Sequence, residues 1–259
     1  MLPSFFLFGK EISMYALMSV IGLLLAGFVF CRGIAKAGED DNEAILFLLV
    51  LCGGILLGGT LLFGITNFAR IPLLWNADSP RAFWEAFASI FGGMVFYGGL
   101  IGAFLFGSFY IRWRRLDRAL YMDQAALFAP LFHAFARVGC FFGGCCYGIP
   151  SRIGFCAVGN TVTDIGKIRR FPVQLLESAL NLILAAFIYS LLRRKRLKGR
   201  LCYLYLALYA GIRFFDELLR GDAVRGFLFG LSTSQWISIG IEFFACTMLL
   251  FPLFRNRQS

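Results

Sequence analysis

The sequence predicts an all-α, polytopic membrane protein with seven transmembrane helices, its N-terminus outside and its C-terminus cytoplasmic. Three observations carry this expectation. Of 259 residues, 59% are hydrophobic, 31 are phenylalanine and only 15% are charged, at a mean hydropathy of +0.75. No soluble domain of this length hides so much apolar surface from water. Seven apolar stretches reach the roughly 20 helical residues that a hydrocarbon core requires, and basic residues gather at alternate loops.

The stretches lie near 13–31, 45–65, 90–110, 124–143, 173–192, 201–219 and 235–254. The first lacks a basic segment before it and a small-residue cleavage site after it, so no cleavable signal peptide is expected. The loops after the first, third, fifth and seventh stretches carry Arg32 and Lys36, then Arg112, Arg114, Arg115 and Arg118, then the run from Arg193 to Arg200, then Arg255 and Arg257. The positive-inside rule puts these loops in the cytoplasm. The net charge of +10 is thereby explained by membrane orientation, and no nucleic-acid partner is expected. The loops after the second, fourth and sixth stretches face outward, and the longest, about 149–172, follows the fourth. Residues 1–259 form a single integral membrane domain on this reading.

Ionisable residues inside the apolar stretches point to function. The segment PLFHAFARVGCFFGGCCYG, residues 130–148, sets Arg137 and the sole histidine, His133, in an apolar helix that dissolves into glycine and cysteine. An arginine at mid-membrane costs about 2.5–3.5 kcal/mol on insertion scales, so it faces a polar cavity or an anion. His133 precedes Arg137 by four residues and shares its helical face. It is either a base or an interhelical donor. Glu177 lies one turn into the fifth stretch. Arg213, Glu217 and Arg220 follow at i, i+4 and i+7 on one face of the sixth, and Arg220 is read either as part of this stripe or as a snorkelling helix end. With Tyr15 and Tyr97 these groups fall into one band of depth near the outer side, if the helices pack together. Glu242, in the seventh stretch, fits an interhelical bond or an arginine pair as well as catalysis.

The run FGGMVFYGGLIGAFLFG, residues 91–107, is too rich in glycine for a good helix. Gly98, Gly99 and Gly102 serve either close helix packing or the approach of an anion to backbone N–H groups. Of the eight cysteines, Cys140, Cys145, Cys146 and Cys156 fall on the expected outward side, where a disulfide to Cys156 is permitted. His133 with Cys140 and Cys145 or Cys146 loosely suggests a metal site, but the spacing matches no zinc pattern, and no metal or cofactor is expected. A thiolate beside Arg137 would have a lowered pKa, so a cysteine nucleophile is another reading of this cluster.

Several segments, in order, resemble the prolipoprotein diacylglyceryl transferases of bacterial membranes. MYALMSVIGLLLAG is similar to that family's first helix, with Tyr15 at its functional tyrosine. GGMVFYGGLIG resembles the family's GGMSFHGGLIG, RVGCFFGGCCYG its signature RIGNFINGELWG, and RFPVQLLES its RHPSQLYE. YAGIRFFDELLRGD and STSQWIS resemble the sixth helix and the start of the last. The resemblance covers essentially the whole chain. It implies transfer of the diacylglyceryl group of phosphatidylglycerol to the lipobox cysteine thiol of a preprolipoprotein, with release of glycerol 1-phosphate, at the outer face of the bacterial plasma membrane.

The resemblance also implies roles. Arg137 and Arg213 match the family's essential arginines and would hold the lipid phosphate. Tyr15, Gly98, Gly99, Gly148, Gln174, Glu177, Tyr209, Glu217 and Arg220 match further family positions and are expected to bind substrate. Tyr97 stands in place of the family histidine, Cys140 of its asparagine, Cys145 of its glutamate, and Thr60 of a common arginine. Tyrosine, with a reference pKa near 10, is a poor base at neutral pH, so His133, or Tyr97 activated by an arginine, is expected to take over proton transfer. A related transferase with another acceptor, and a lipid-binding membrane protein without chemistry, are the alternatives. The absence of an internal inverted repeat argues against a transporter.

Overall fold

The structure, a computed structural model, describes residues 4–7, 10–156, 168–221 and 227–255. In chain order the elements are β1 (Ser4–Leu7), β2 (Lys10–Ser13), α1 (Met14–Ala35), α2 (Asp41–Thr66), a 3-10 turn (Phe68–Arg70), α3 (Pro72–Trp75), α4 (Pro80–Phe91), α5 (Phe96–Arg114), α6 (Arg118–Gly143), β3 (Pro150–Phe155), α7 (Val173–Arg193), α8 (Leu201–Leu219), β4 (Phe227–Leu228), β5 (Leu231–Ser232) and α9 (Thr233–Arg255). The predicted helical fold is therefore joined by two small antiparallel hairpins, β1 with β2 and β4 with β5.

Five helices, α1, α2, α6, α7 and α9, are long and apolar enough to cross a membrane, and a sixth crossing comes from α4 and α5 if that pair counts as one. The expected third stretch, near 90–110, straddles the junction of this pair. The two helices meet at 85°, because Gly92, Gly93 and their neighbours give way to extended backbone at Val95 before α5 begins. The expected sixth stretch coincides with α8, 201–219, but its Arg213, Asp216 and Glu217 keep it outside that apolar set. Polarity is inverted relative to a soluble protein: Leu24, Phe28, Leu49, Ile183 and Phe243 are exposed while Arg137, Glu177, Arg213 and Glu217 are buried. Helices that are apolar outside and polar inside are suited to lipid.

The chain forms two compact units, one of residues 34–121 and one joining residues up to 33 with those from 122 onward. In the first, α2 and α5 pack with backbones in contact. A Cβ at Gly98 would collide with the carbonyl oxygen of Gly58, and one at Gly102 with that of Gly54. Of the two uses left open for these glycines, helix packing is the one seen. Thr60 bonds back to the carbonyls of Leu56 and Leu57, at 2.9 and 3.1 Å. Glu43, in the first turn of α2, accepts from Tyr110 Oη at 2.9 Å and pairs with Arg114.

In the second unit α1 runs antiparallel to α6. Phe30 meets Phe128 edge-on at 6.4 Å, and a Cβ at Gly139 would stand 3.1 Å from Tyr15 Cα. Three devices fix the remaining helices. The Asp123 carboxylate, on α6, accepts the N–H of Gly199 and Leu201 at 2.6 and 3.0 Å, capping the start of α8 from a neighbouring helix. Ser178 Oγ on α7 donates to Ala134 O on α6 at 2.9 Å. Ser232 and Gln235 form a reciprocal capping box at the start of α9, with bonds of 2.9 and 3.2 Å.

Candidate active site

The site is built on α6, α7 and α8, and α7 supplies its middle. Gln174, Glu177, Ser178 and Asn181 recur at i, i+3, i+4 and i+7 and are all buried, so one face of α7 is polar throughout. Glu177, 1% exposed, is the hub. Arg137 Nη2 lies 2.9 Å from its Oε1 and 2.8 Å from its Oε2. Tyr209 Oη donates to Oε1 at 3.3 Å, and His133 Nε2 lies 3.4 Å from the same oxygen. The anion demanded by Arg137 is thus supplied within the protein, from a residue 40 positions away. Glu177, expected to bind substrate, is paired with that arginine.

His133 and Tyr209 are packed ring to ring at 5.2 Å. A neutral imidazole protonated on Nε2, the nitrogen that faces Glu177, would carry its basic lone pair on Nδ1. Arg213 Nη2 pairs with Glu217 Oε2 at 2.6 Å on its own helix and lies 3.4 Å from Ser234 Oγ on α9. The Arg213 charge also acts on the Glu177 carboxylate. After these contacts, Arg137 Nε and Arg213 Nη1 remain buried donors without a hydrogen-bond partner among the described residues. Such donors are costly to bury unless something accepts from them.

The expected Arg-Glu-Arg stripe is shortened. The helix ends at Leu219, and Arg220 has extended backbone, φ −81° and ψ 140°. Arg220 therefore leaves the face shared by Arg213 and Glu217 and forms an isolated antiparallel bridge with Gly148. Around that bridge three segments meet: Ile149 N donates to Leu219 O at 2.9 Å, Gly221 N to Tyr147 O at 3.0 Å, and Phe171 N to Ile149 O at 3.0 Å. A side chain at Gly148 would collide with the carbonyl oxygen of Phe171, so its role is close backbone approach. Arg170 stacks on Tyr147 at 4.5 Å and donates to Gly148 O at 3.3 Å.

Gln174 Nε2 donates to Cys145 O at 2.7 Å, fixing the turn that follows α6. The eight cysteines are free thiols, so the disulfide with Cys156 that the sequence permits is not formed. Instead the sulfurs of Cys140, Cys145 and Cys146 converge. Tyr15, at the start of α1, faces the Gly139 backbone and is about half exposed. Glu242 accepts from Cys246 Sγ at 3.5 Å within α9. Tyr97, Gly98 and Gly99 belong to the other unit, in the first turn of α5, and all three are buried.

Sequence reading passed over Asp216, Ser178 and Asn181, all buried on these helices. Asp216 Oδ2 has no hydrogen-bond partner among the described residues, and its carboxyl is acted on by Glu177, Arg213, Arg137 and Arg220. The i, i+3, i+4, i+7 polar pattern on α7 was the signal that would have found Ser178 and Asn181.

Known proteins resemble this chain along almost its whole length. Residues 3–251 match the prolipoprotein diacylglyceryl transferase family. A phosphatidylglycerol–prolipoprotein diacylglyceryl transferase of Clostridium tetani is 31% identical over 236 residues, covering 91% of each chain. That of Geobacter sulfurreducens is 30% identical over 258 residues, covering 95% of this chain and 93% of its own. With buried arginines, a carboxylate hub and a match from residue 3 to residue 251, the chain belongs to the prolipoprotein diacylglyceryl transferase family.

Proposed function

We propose that the chain is a phosphatidylglycerol–prolipoprotein diacylglyceryl transferase of the bacterial plasma membrane, working on the lipobox cysteine of preprolipoproteins at the outer face. The observation that carries this reading is the pair of buried guanidiniums, Arg137 and Arg213. Each is held by one carboxylate, and each keeps an N–H donor without a partner among the described residues. A phosphate oxygen is the acceptor that suits such donors. With α8 counted as a span and the α4–α5 pair as one, the chain crosses seven times, N-terminus outside and C-terminus cytoplasmic, as its arginine distribution favours.

In the reaction the lipobox thiol sulfur attacks the glyceryl carbon that bears the phosphate. A carbon–sulfur bond forms as the carbon–oxygen bond to phosphate breaks. The proton leaves the thiol, the diacylglyceryl group becomes a thioether, and glycerol 1-phosphate departs with the bonding electron pair. Arg137 and Arg213 stabilise charge growing on the leaving phosphate. Glu177 holds Arg137 in place, and Glu217 holds Arg213. His133, or Tyr97 activated by an arginine, receives the thiol proton. Tyr15, Gly98, Gly99, Gly148, Gln174, Tyr209 and Arg220 complete the surroundings of the substrates, as their family positions suggest.

The test is incubation of the purified protein with labelled phosphatidylglycerol and a lipobox peptide, with detection of a thioether-linked product. Arg137→Lys and Arg213→Lys are expected to abolish the product. An unchanged rate in both variants would overturn the phosphate assignment, and full activity of His133→Ala combined with Tyr97→Phe would overturn the proton-transfer assignment. A second reading, the same donor with a different acceptor, is favoured by Tyr97, Cys140 and Cys145 at positions where the family has histidine, asparagine and glutamate. Glycerol phosphate release without peptide labelling would select it.

A further inference from the structure

Cys140, Cys145 and Cys146 are absorbed by no step of the proposed reaction, yet the fold gathers them. Their three Sγ atoms lie within 4.8 Å of one another. Cys140 is buried in the last turn of α6, Cys146 is half-buried, and Cys145 is exposed. The gathering is built into the backbone. Gly144 and Cys146 both have left-handed dihedrals, φ 69° and 54°, and the second is uncommon for a residue with a side chain. The resulting reversal is closed by Cys145 N donating to Cys140 O at 3.2 Å. Gln174 then holds the Cys145 carbonyl from α7 at 2.7 Å. The turn is thus fixed from two sides before any ligand arrives.

We propose that this trio is a binding site for one thiophilic d10 cation, Zn(II) or Cu(I), held by three thiolates. Thiolate sulfur selects such ions over the harder Mg(II), Ca(II) and Mn(II). A Zn–S bond of about 2.3 Å in tetrahedral arrangement sets ligand sulfurs about 3.8 Å apart. Contraction from the observed spread is then no more than about 1 Å, within reach of a side-chain rotation. Spacing alone argues against a metal, since positions 140, 145 and 146 follow no paired-cysteine pattern. The left-handed turn at Gly144 and Cys146 is what makes so unusual a spacing converge. Three ligands leave a fourth position open on the side of exposed Cys145, as in sites that hold a water or a second molecule. The charges of Arg137 and Arg220 act on Cys146, and they offset the surplus negative charge of three thiolates around one divalent ion.

The experiment uses the full chain in detergent, isolated with reductant and then freed of it. One variant carries serine at Cys31, Cys52, Cys156, Cys202 and Cys246 and keeps the trio. A second carries serine at 140, 145 and 146 only. Zn(II) is titrated against a chromophoric chelator, and Cd(II) is then substituted so that sulfur-to-metal charge-transfer absorption counts the thiolates. The trio-only chain is expected to bind one ion with three thiolates, and the trio-less chain none. Single serine substitutions in the trio should weaken binding by on the order of 100-fold or more, beyond what loss of an outer-shell contact produces. Equal binding by both chains would overturn the proposal, as would no binding by a folded trio-only chain. So would a disulfide within the trio, found by mass spectrometry in protein kept free of reductant. The readout is metal content, so the result stands apart from whether the chain transfers diacylglyceryl groups.

Discussion

Glu177 and Arg137 make the sharpest prediction, because the structure makes each the reason the other is tolerable. Both are buried, 1% and 7% exposed, with guanidinium nitrogen 2.8 and 2.9 Å from the two carboxylate oxygens. Removing one partner of such a pair costs about 3–5 kcal/mol, since the survivor keeps its charge without compensation. Glu177→Leu and Arg137→Met are each expected to fall in that range. The double variant removes both charges. Its residual cost is one long hydrogen bond, from Tyr209 at 3.3 Å, and the polar contact with His133 Nε2 at 3.4 Å, each at the low end of about 1–3 kcal/mol for an orphaned polar group. The double variant should therefore lose only about 2 kcal/mol, where adding the singles gives about 6–10. Thermal unfolding in detergent measures this, and each single variant should melt roughly 6–20 °C lower at about 2–4 °C per kcal/mol for a chain of this size. All three variants should be inactive in diacylglyceryl transfer. Additivity of the single effects within about 0.5 kcal/mol would refute the reasoning, and so would a single variant that costs less than about 1 kcal/mol.

Two further outcomes follow from the ends of the helices. Gly148→Ala places a methyl group against the carbonyl oxygens of Phe171 and Leu219, so the backbone there must separate; limited proteolysis within 147–171 should accelerate and peptide labelling should fall, whereas unchanged proteolysis would mean the three segments do not depend on close approach. Asp123→Ala leaves the N–H groups of Gly199 and Leu201 without their carboxylate; a loss of about 0.5–2 kcal/mol is expected, as for other helix caps, and it should be read as faster hydrogen exchange at the start of α8.

How much of this was legible in the sequence depends on whether the cause was local. The bounds of α7 and α8 were legible, because Pro172 precedes the first and the basic run from Arg193 to Arg200 separates the two. Arg137, Glu177 and Arg213 were legible as residues that an apolar helix holds only for a reason. Their pairing was not. That Arg137 meets Glu177 rather than Glu217 depends on which faces of α6, α7 and α8 turn inward, and packing decides that. The 85° junction between α4 and α5 was hidden because the run from 91 to 107 is apolar enough to count as a span while its glycines leave helix propensity weak. The fate of Arg220 was hidden likewise. Helical spacing extrapolates a face beyond Leu219, but the bridge to Gly148 takes the chain out of the helix one residue later. The cysteine trio sits on a turn with positive φ at both Gly144 and Cys146, and nothing in the residue type of the second announces it.

The bridge at Gly148 has a bearing on the turn that carries the cysteines. Segments 147–149, 169–171 and 219–221 are joined there by main-chain hydrogen bonds, to which the Arg170 side chain adds one bond to the Gly148 carbonyl, and Gln174 grips the neighbouring turn through the carbonyl oxygen of Cys145. The end of the arginine-bearing helix is thus anchored chiefly through main-chain atoms. None of these bonds uses the side chains at 140 and 145, so whatever residue stands there is set beside Arg137 by a mount that does not depend on its side chain.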